Sequence, residues 1–346
     1  MRNTRPVRAI AVTGGFLLLA VLFVRLGLGR IVSLLTSLGW NFLVVVSLFG
    51  AHEFVRTLAI SRWLPADTRP PLGELLRIRL FGEAAGALTR TGSIAAEPAR
   101  AWLLANRGGR GVRGYSAAAG ELMANSATSA GVNVVVAGWM LLTAHLTGHV
   151  VILAHVLLWA SLVYLSVVVA VIVSRVRILG VCARAAARLP FIGRRLRIDP
   201  IKLGEMQQAI TSALTERPAA LARILLLEIS AQAILVGEVY WAIRSMGVAV
   251  SGWSALSIEV MTRALTVVEF VGATEMGFAI VFVWLGMPAA IGFTLSLVKT
   301  LRSLTAAGIG IGLLTGSDRA SLAPVPVRSS YEKDTLSPRV VNAADA

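Results

Sequence analysis

The chain has a single cysteine, Cys182, in 346 residues. An internal disulfide and a Cys-rich metal site are thereby excluded. Acidic residues are scarce, 18 against 33 Lys+Arg, and aromatic residues make up only 7%. The net charge of +15 comes with no DNA- or RNA-binding motif and little aromatic interleaving among the basic residues, so nucleic acid is not expected as a partner. Strand-like alternation over about ten residues does not recur, which argues against a β-barrel. No nucleophile elbow or ATPase motif is present. His145 and His149 have helical ligand spacing but straddle Gly148 and have no third ligand nearby. No catalytic constellation, metal or cofactor is therefore expected, and the chain is not read as an enzyme.

Apolar sequence is abundant, at 56% hydrophobic residues and a mean hydropathy of +0.75. Several apolar runs of about 20 residues match the thickness of a bilayer core. The fold class expected is an all-α polytopic membrane protein. Full spans are predicted at Ala9–Val24, Trp40–Ile60, Tyr115–Leu146, Val150–Ser174, Ala219–Ile243 and Pro288–Leu314, six in all. The first is read as a retained helix, because no small-x-small cleavage site precedes Arg25. Trp40 suits a membrane interface, and Pro218 suits the first position of a helix.

Arginine places the loops. Clusters before Ala9, at Arg62–Arg79, Arg100–Arg113 and Arg175–Arg217 predict a cytoplasmic side, with both termini there too, in a bacterial-type inner membrane. Residues 175–217 interleave arginine with Leu179, Val181, Leu189 and Phe191, as an interfacial segment on anionic lipid does. One transmembrane domain is expected over 1–314, followed by a disordered cytoplasmic tail, 315–346.

Two zones fit neither loop nor span. GEAAGALTRTGSIAAEPAR, Gly82–Arg100, is flanked on both sides by arginine-rich sequence. It must enter and return, as a re-entrant or surface hairpin. Glu97 and Pro98 read as the cap and first residue of a helix whose N-terminus, with Arg100 one turn on, would attract an anion. Trp253–Met287 carries Glu259, Arg263, Glu269 and Glu275 among apolar residues and must enter and return from the opposite face. Opposed re-entrant hairpins are what an inverted repeat produces in a transporter.

Ionisable residues at the bilayer centre cost about 2.5–3.5 kcal/mol each on insertion scales, so a chain that keeps many must pair them or turn them to a cavity. Glu83, Arg90, Glu97, Glu121, Glu228, Glu238, Glu259, Arg263, Glu269, Glu275, Lys299 and Arg302 form such a set. Four-residue spacing puts Glu259 with Arg263, Glu121 with Asn125, and Glu228 with Gln232 on shared helix faces. Three-residue spacing does the same for Lys299 and Arg302. The glycines at Gly82 and Gly86, and at Gly308, Gly310 and Gly312, read as helix-packing surfaces.

The stretch TRTGSIAAEPAR, Thr89–Arg100, with Gly92, Glu97 and Arg100, resembles the first signature of the flippase-like family defined by the transmembrane region of lysylphosphatidylglycerol synthase. That family includes membrane proteins associated with hopanoid biosynthesis. Val271–Arg302 resembles its second signature through Gly272, Glu275, Gly286, Lys299 and Arg302. Proline is absent from both turns, as in a divergent member. The resemblance implies lipid translocation between leaflets. An anionic or isoprenoid-type lipid would pass its head through a polar cavity, held by Arg90, Arg100, Arg263, Lys299 and Arg302, with Glu97, Glu269 and Glu275 holding those cations and Gly92 and Gly272 forming the turns. Membrane lipids are the expected partners. Alternatives are a non-transporting scaffold that docks lipid-biosynthesis enzymes through residues 175–217, and an intramembrane lipid transferase. The sequence leaves the lipid and the oligomeric state open.

Overall fold

The computed structural model describes residues 28–66, 69–89, 93–106, 111–143, 148–174, 208, 218–265 and 273–317. The helix expected at Ala9–Val24, the basic segment 175–217 apart from residue 208, and all but the first three residues of the 315–346 tail lie outside them. Among the described residues the chain is all helical, with no strand. Ten helices follow one another: α1 (Leu28–Leu38), α2 (Asn41–Trp63), α3 (Leu72–Thr89), α4 (Ser93–Asn106), α5 (Gly111–Thr143), α6 (His149–Ser174), α7 (Pro218–Ser245), α8 (Gly252–Leu265), α9 (Ala273–Trp284) and α10 (Ala289–Ser317).

Among the described residues, three stretches are long and apolar enough to cross a membrane: Asn41–Trp63, His149–Ala170 and Ala219–Ser245. They make this a membrane-embedded all-α protein. At 1.5 Å per residue, the 23 residues of α2 span about 35 Å, against about 30 Å of hydrocarbon. α5 and α10 are longer still, at 33 and 29 residues. Glu121 and Asn125 in one, Lys299 and Arg302 in the other, lower their apolarity. Val135, Leu142, Ile152, Val163 and Leu226 face outward, as side chains bathed in acyl chains do. Trp40 is 85% exposed, which suits an interfacial ring.

The ends of the helices follow from local chemistry. α7 begins at Pro218, whose missing N–H costs nothing there. Ser251 caps α8: its hydroxyl accepts the Ser254 N–H at 3.0 Å. Gly286 ends α9 with φ +75°. Its N–H reaches the Val283 carbonyl at 3.0 Å and the Met287 N–H reaches Phe282 at 2.8 Å, the paired bonds of a Schellman turn.

α3 and α4 pack on each other across residues 90–92, and α8 and α9 across residues 266–272. The arms are short. α4 and α8, 14 residues each, reach about 21 Å, and α9 with 12 about 18 Å. All three fall short of the about 30 Å of hydrocarbon. An apolar core of Val45, Val239, Ile243, Ile258, Phe282 and Leu295 binds α2 and α7 to α8, α9 and α10. A second core of Ile60, Leu75, Ile78, Leu104 and Ala117 holds α2, α3, α4 and α5 together. A third, with Val136, Met140, Leu157, Met261 and Val281, ties α5 and α6 to α8 and α9. In a bilayer, close van der Waals packing of such interlayers holds the arms in place. Gly310 lets α10 lie against the backbone of Leu80 on α3, while Gly308 and Gly312 meet nothing within 4 Å.

Three sequence expectations are corrected here. Arg62–Arg79 was expected as loop, but α3 starts at Leu72, and Arg79 is 2% exposed. Its arginine count suggests solvent because counting ignores partners, and Arg79 has two. Arg100 likewise lies buried within α4 rather than marking a cytoplasmic loop. Pro98 does not start a helix. α4 begins at Ser93 and runs through it, so the ring sits where it removes one backbone bond.

Candidate functional site

Charges carried by the helices gather into two knots. The first forms where α2, α3, α5 and α7 converge. The Arg79 Nε donates to Glu53 at 2.6 Å and its Nη1 to Glu121 at 3.1 Å. Arg56 donates its Nη2 to the same Glu121 oxygen. The Arg56 Nε stands 3.6 Å from Glu228. His52 Nδ1 meets the Ala231 carbonyl at 3.0 Å, and its Nε2 lies 3.5 Å from Glu53. All these residues are buried. The hairpin α3–α4 adds its own clasp, in which Arg100 donates to Glu83 and, at 2.7 Å, to Glu97. Gly82 makes this clasp fit, since a Cβ there would overlap the Arg100 side chain. The clasp also means that Arg100 and Glu97 are paired with each other, not set out around a helix N-terminus.

The second knot joins α5, α7, α8 and α10. Glu259 receives Lys299 at 2.5 Å and Arg263 at 2.8 Å. Arg263 also donates to Gln232 at 2.6 Å and to Ser129 at 3.2 Å. Gln232 donates in turn to Asn125 and Ser129. Arg302 pairs with Glu238 and lies over the Phe49 ring, 4.1 Å from its centroid. Lys299 sits 5.5 Å from the Phe278 centroid. Such cation–π contacts strengthen as water is excluded.

The four-residue spacings on α5 and α7 therefore serve differently from the pairing the sequence suggests. Glu121 and Asn125 do not pair, nor do Glu228 and Gln232. Each helix instead gives its glutamate to the first knot and its amide, one turn on, to the second.

Both knots border one cavity of about 1030 Å³. α3 and α4 contribute Glu83, Glu97 and Arg100; α8 and α9 contribute Glu259, Arg263 and Glu275; α10 contributes Lys299 and Arg302. Glu97, Arg100, Arg263, Glu275, Lys299 and Arg302, singled out in the sequence, thus meet around one space. Arg90, Gly92, Glu269 and Gly272 lie outside the described residues. Asn125, Ser129 and Asn133 line the cavity along one face of α5, at four-residue spacing. The opposite character comes from α6, which supplies Leu153, Val156, Leu157 and Ala160 beside Ser161 and Tyr164.

Sequence reasoning missed His52, Glu53, Arg56 and Arg79. The signal was present. Three polar groups within five residues of an apolar span ask for partners elsewhere, because each isolated charge is costly in hydrocarbon. Among the described residues no group of three His, Cys, Asp or Glu is arranged to hold a metal ion; His149 stacks on Trp284, with centroids 5.9 Å apart. The site can bind an anion against its cations, hydrogen-bond a polar head along α5 and accept an apolar tail along α6. No family model, curated protein or solved structure matches the chain, so a functional reading rests on this cavity.

Proposed function

We propose that this protein moves an anionic or isoprenoid-type lipid between the leaflets of a bacterial-type cytoplasmic membrane, without covalent chemistry. One observation carries the reading: a single cavity of about 1030 Å³ has charged walls from both short helix pairs and an apolar wall from α6. An amphiphile needs both surfaces at once. Its head would exchange water for Arg263, Lys299 and the amides and hydroxyls of α5, while its chains stay in the bilayer beside α6. Large pockets that combine apolar lining with a few convergent polar groups are the usual ligand sites.

In this reading α2, α5, α6, α7 and α10, with the helix expected at Ala9–Val24, make six crossings. The α3–α4 and α8–α9 pairs enter from opposite faces and return, as an inverted repeat of the flippase-like family would have them. Both termini and the tail 315–346 are cytoplasmic. The short arms support this: α4, α8 and α9 fall short of the about 30 Å of hydrocarbon, yet polar residues of both pairs line one cavity. On a Cys182-free background, cysteines at positions 107 and 195 should react with impermeant label only from the cytoplasmic side.

The deciding experiment is reconstitution. In phosphatidylcholine vesicles carrying fluorescent phosphatidylglycerol or a fluorescent polyprenyl phosphate, the protein should speed transfer between leaflets, as read by dithionite quenching. Vesicles indistinguishable from protein-free controls for both lipids would overturn the proposal.

A further inference from the structure

The fully buried part of the first knot has three carboxylates, Glu53, Glu121 and Glu228, and two guanidiniums, Arg56 and Arg79. The charges do not cancel. Glu53 is held by Arg79, and Glu121 by both arginines. Glu228 is 0% exposed, and among the described residues neither of its oxygens has a hydrogen-bond partner. The Arg56 Nε points toward it at 3.6 Å and also lacks an acceptor. A buried carboxylate close to a cation but not bonded to it stays ionised only while that cation stays near.

Arg56 is the link. It belongs to the sealed knot, yet it also lines the cavity, which Glu228 does not. An anion entering the cavity competes for the Arg56 guanidinium. As Arg56 turns toward it, Glu228 loses its counter-charge and takes up a proton from bulk solution by way of the cavity. When the anion leaves, Arg56 returns and the proton is released. One negative charge and one proton thus enter and leave together.

α2 presents His52, Glu53 and Arg56; α3 presents Arg79 and Glu83; α4 presents Glu97 and Arg100; α5 presents Glu121. α8 and α10, which also touch α7, commit Glu259, Arg263, Lys299 and Arg302 to the second knot. His52 already has its Nδ1 on the Ala231 carbonyl. Glu83 and Glu97 share Arg100. Among the described residues, Glu228 is the carboxylate of this knot whose two oxygens are both buried without a hydrogen-bond partner, so a proton there displaces no bond.

We propose that Glu228 is a proton-binding site tied through Arg56 to an anionic headgroup in the cavity, so that lipid and proton move together, one for one. The coupling rests on the lipid-path reading above; the proton site does not.

Two measurements separate them. Infrared spectra of the purified protein in phosphatidylcholine nanodiscs should show a protonated-carboxyl C=O band that grows when glycerol phosphate is added. Glu228→Gln should remove that growth, and Glu238→Gln should keep it. Arg56→Gln should show the band without glycerol phosphate, which serves as the test if Glu228→Gln does not fold. A response that persists in Glu228→Gln, no response in the wild type, or no constitutive band in Arg56→Gln would overturn the site. In vesicles, an imposed pH gradient should change the translocation rate of fluorescent phosphatidylglycerol severalfold in the wild type and not in Glu228→Gln. Translocation indifferent to the gradient in the wild type would overturn the coupling while the lipid path stands. A carboxyl response in a protein that moves no lipid would sink the lipid path and keep the proton site.

Discussion

The two knots use similar residues in different surroundings. In the first, Glu53, Arg79 and Glu121 are at most 2% exposed and their side-chain hydrogen bonds run to other charged groups. In the second, the Arg263 side chain is 35% exposed and shares its donors among Glu259, Gln232 and Ser129. A sealed ionic network is rigid, because every member that moves strands another charge. A network that mixes charges with neutral amides beside a cavity can exchange one partner for a ligand or for water. The contrast divides the labour: Arg79, with Glu53 and Glu121, holds α2, α3 and α5 in register, while the second knot, like Arg56 at the cavity edge of the first, offers groups that can let go.

The comparison can be broken most directly at Glu121. Glu121→Ala strips Arg56 and Arg79 of their shared acceptor, and losing one partner of a buried pair costs about 3–5 kcal/mol. Melting in detergent should fall sharply, and an unchanged midpoint would mean that the first knot is not the rigid one. Gly82→Ala comes next. The new methyl has to displace Arg100 from Glu83, with an overpacking cost of about 1–3 kcal/mol; chemical denaturation should register it, whereas Gly308→Ala, in open space, should be close to neutral.

In the second knot the order reverses. Arg263→Ala should lower stability by no more than about 1 kcal/mol, since a partly exposed pair is screened by water. It should nevertheless reduce lipid translocation at least tenfold; a large loss of melting temperature with normal translocation would make Arg263 a structural residue. Glu97→Gln should give the smallest change in melting, about 0.5 kcal/mol or less, because Glu97 borders the cavity and Arg100 keeps Glu83. Its effect belongs in the translocation rate, and wild-type rates would remove Glu97 from the lipid path.

Much of the fold was legible. The spans at Trp40–Ile60, Val150–Ser174, Ala219–Ile243 and Pro288–Leu314 each lie within a few residues of a helix, because length and apolarity act locally. Glu259 with Arg263 was legible for the same reason, being one helical turn apart. The union of Arg56 with Glu121 was not, because 65 residues separate them and nothing in either neighbourhood names the other. Arg79 was misplaced by the same blindness, since a row of arginines looks solvated until its partners are known. Pro98 misled because proline is commoner at the first turn than within a helix, and here the α3–α4 packing outweighs that preference.

The sequence separation of these pairs also sets an order of assembly. Arg56 and Arg79 leave the ribosome before Glu121, and Glu228 comes later still. In the second knot the acids come first: Glu238 precedes Arg302 by 64 residues and Glu259 precedes Lys299 by 40. Until its partner is made, each such charge weighs against burial in lipid by about 2.5–3.5 kcal/mol. α2 and α3 must therefore wait near the headgroups, or against the insertion machinery, until α5 and α7 arrive. A cysteine placed at Leu75, which the complete fold buries, should react with a polar label in a nascent chain stalled after α4 and be shielded in one that includes α7.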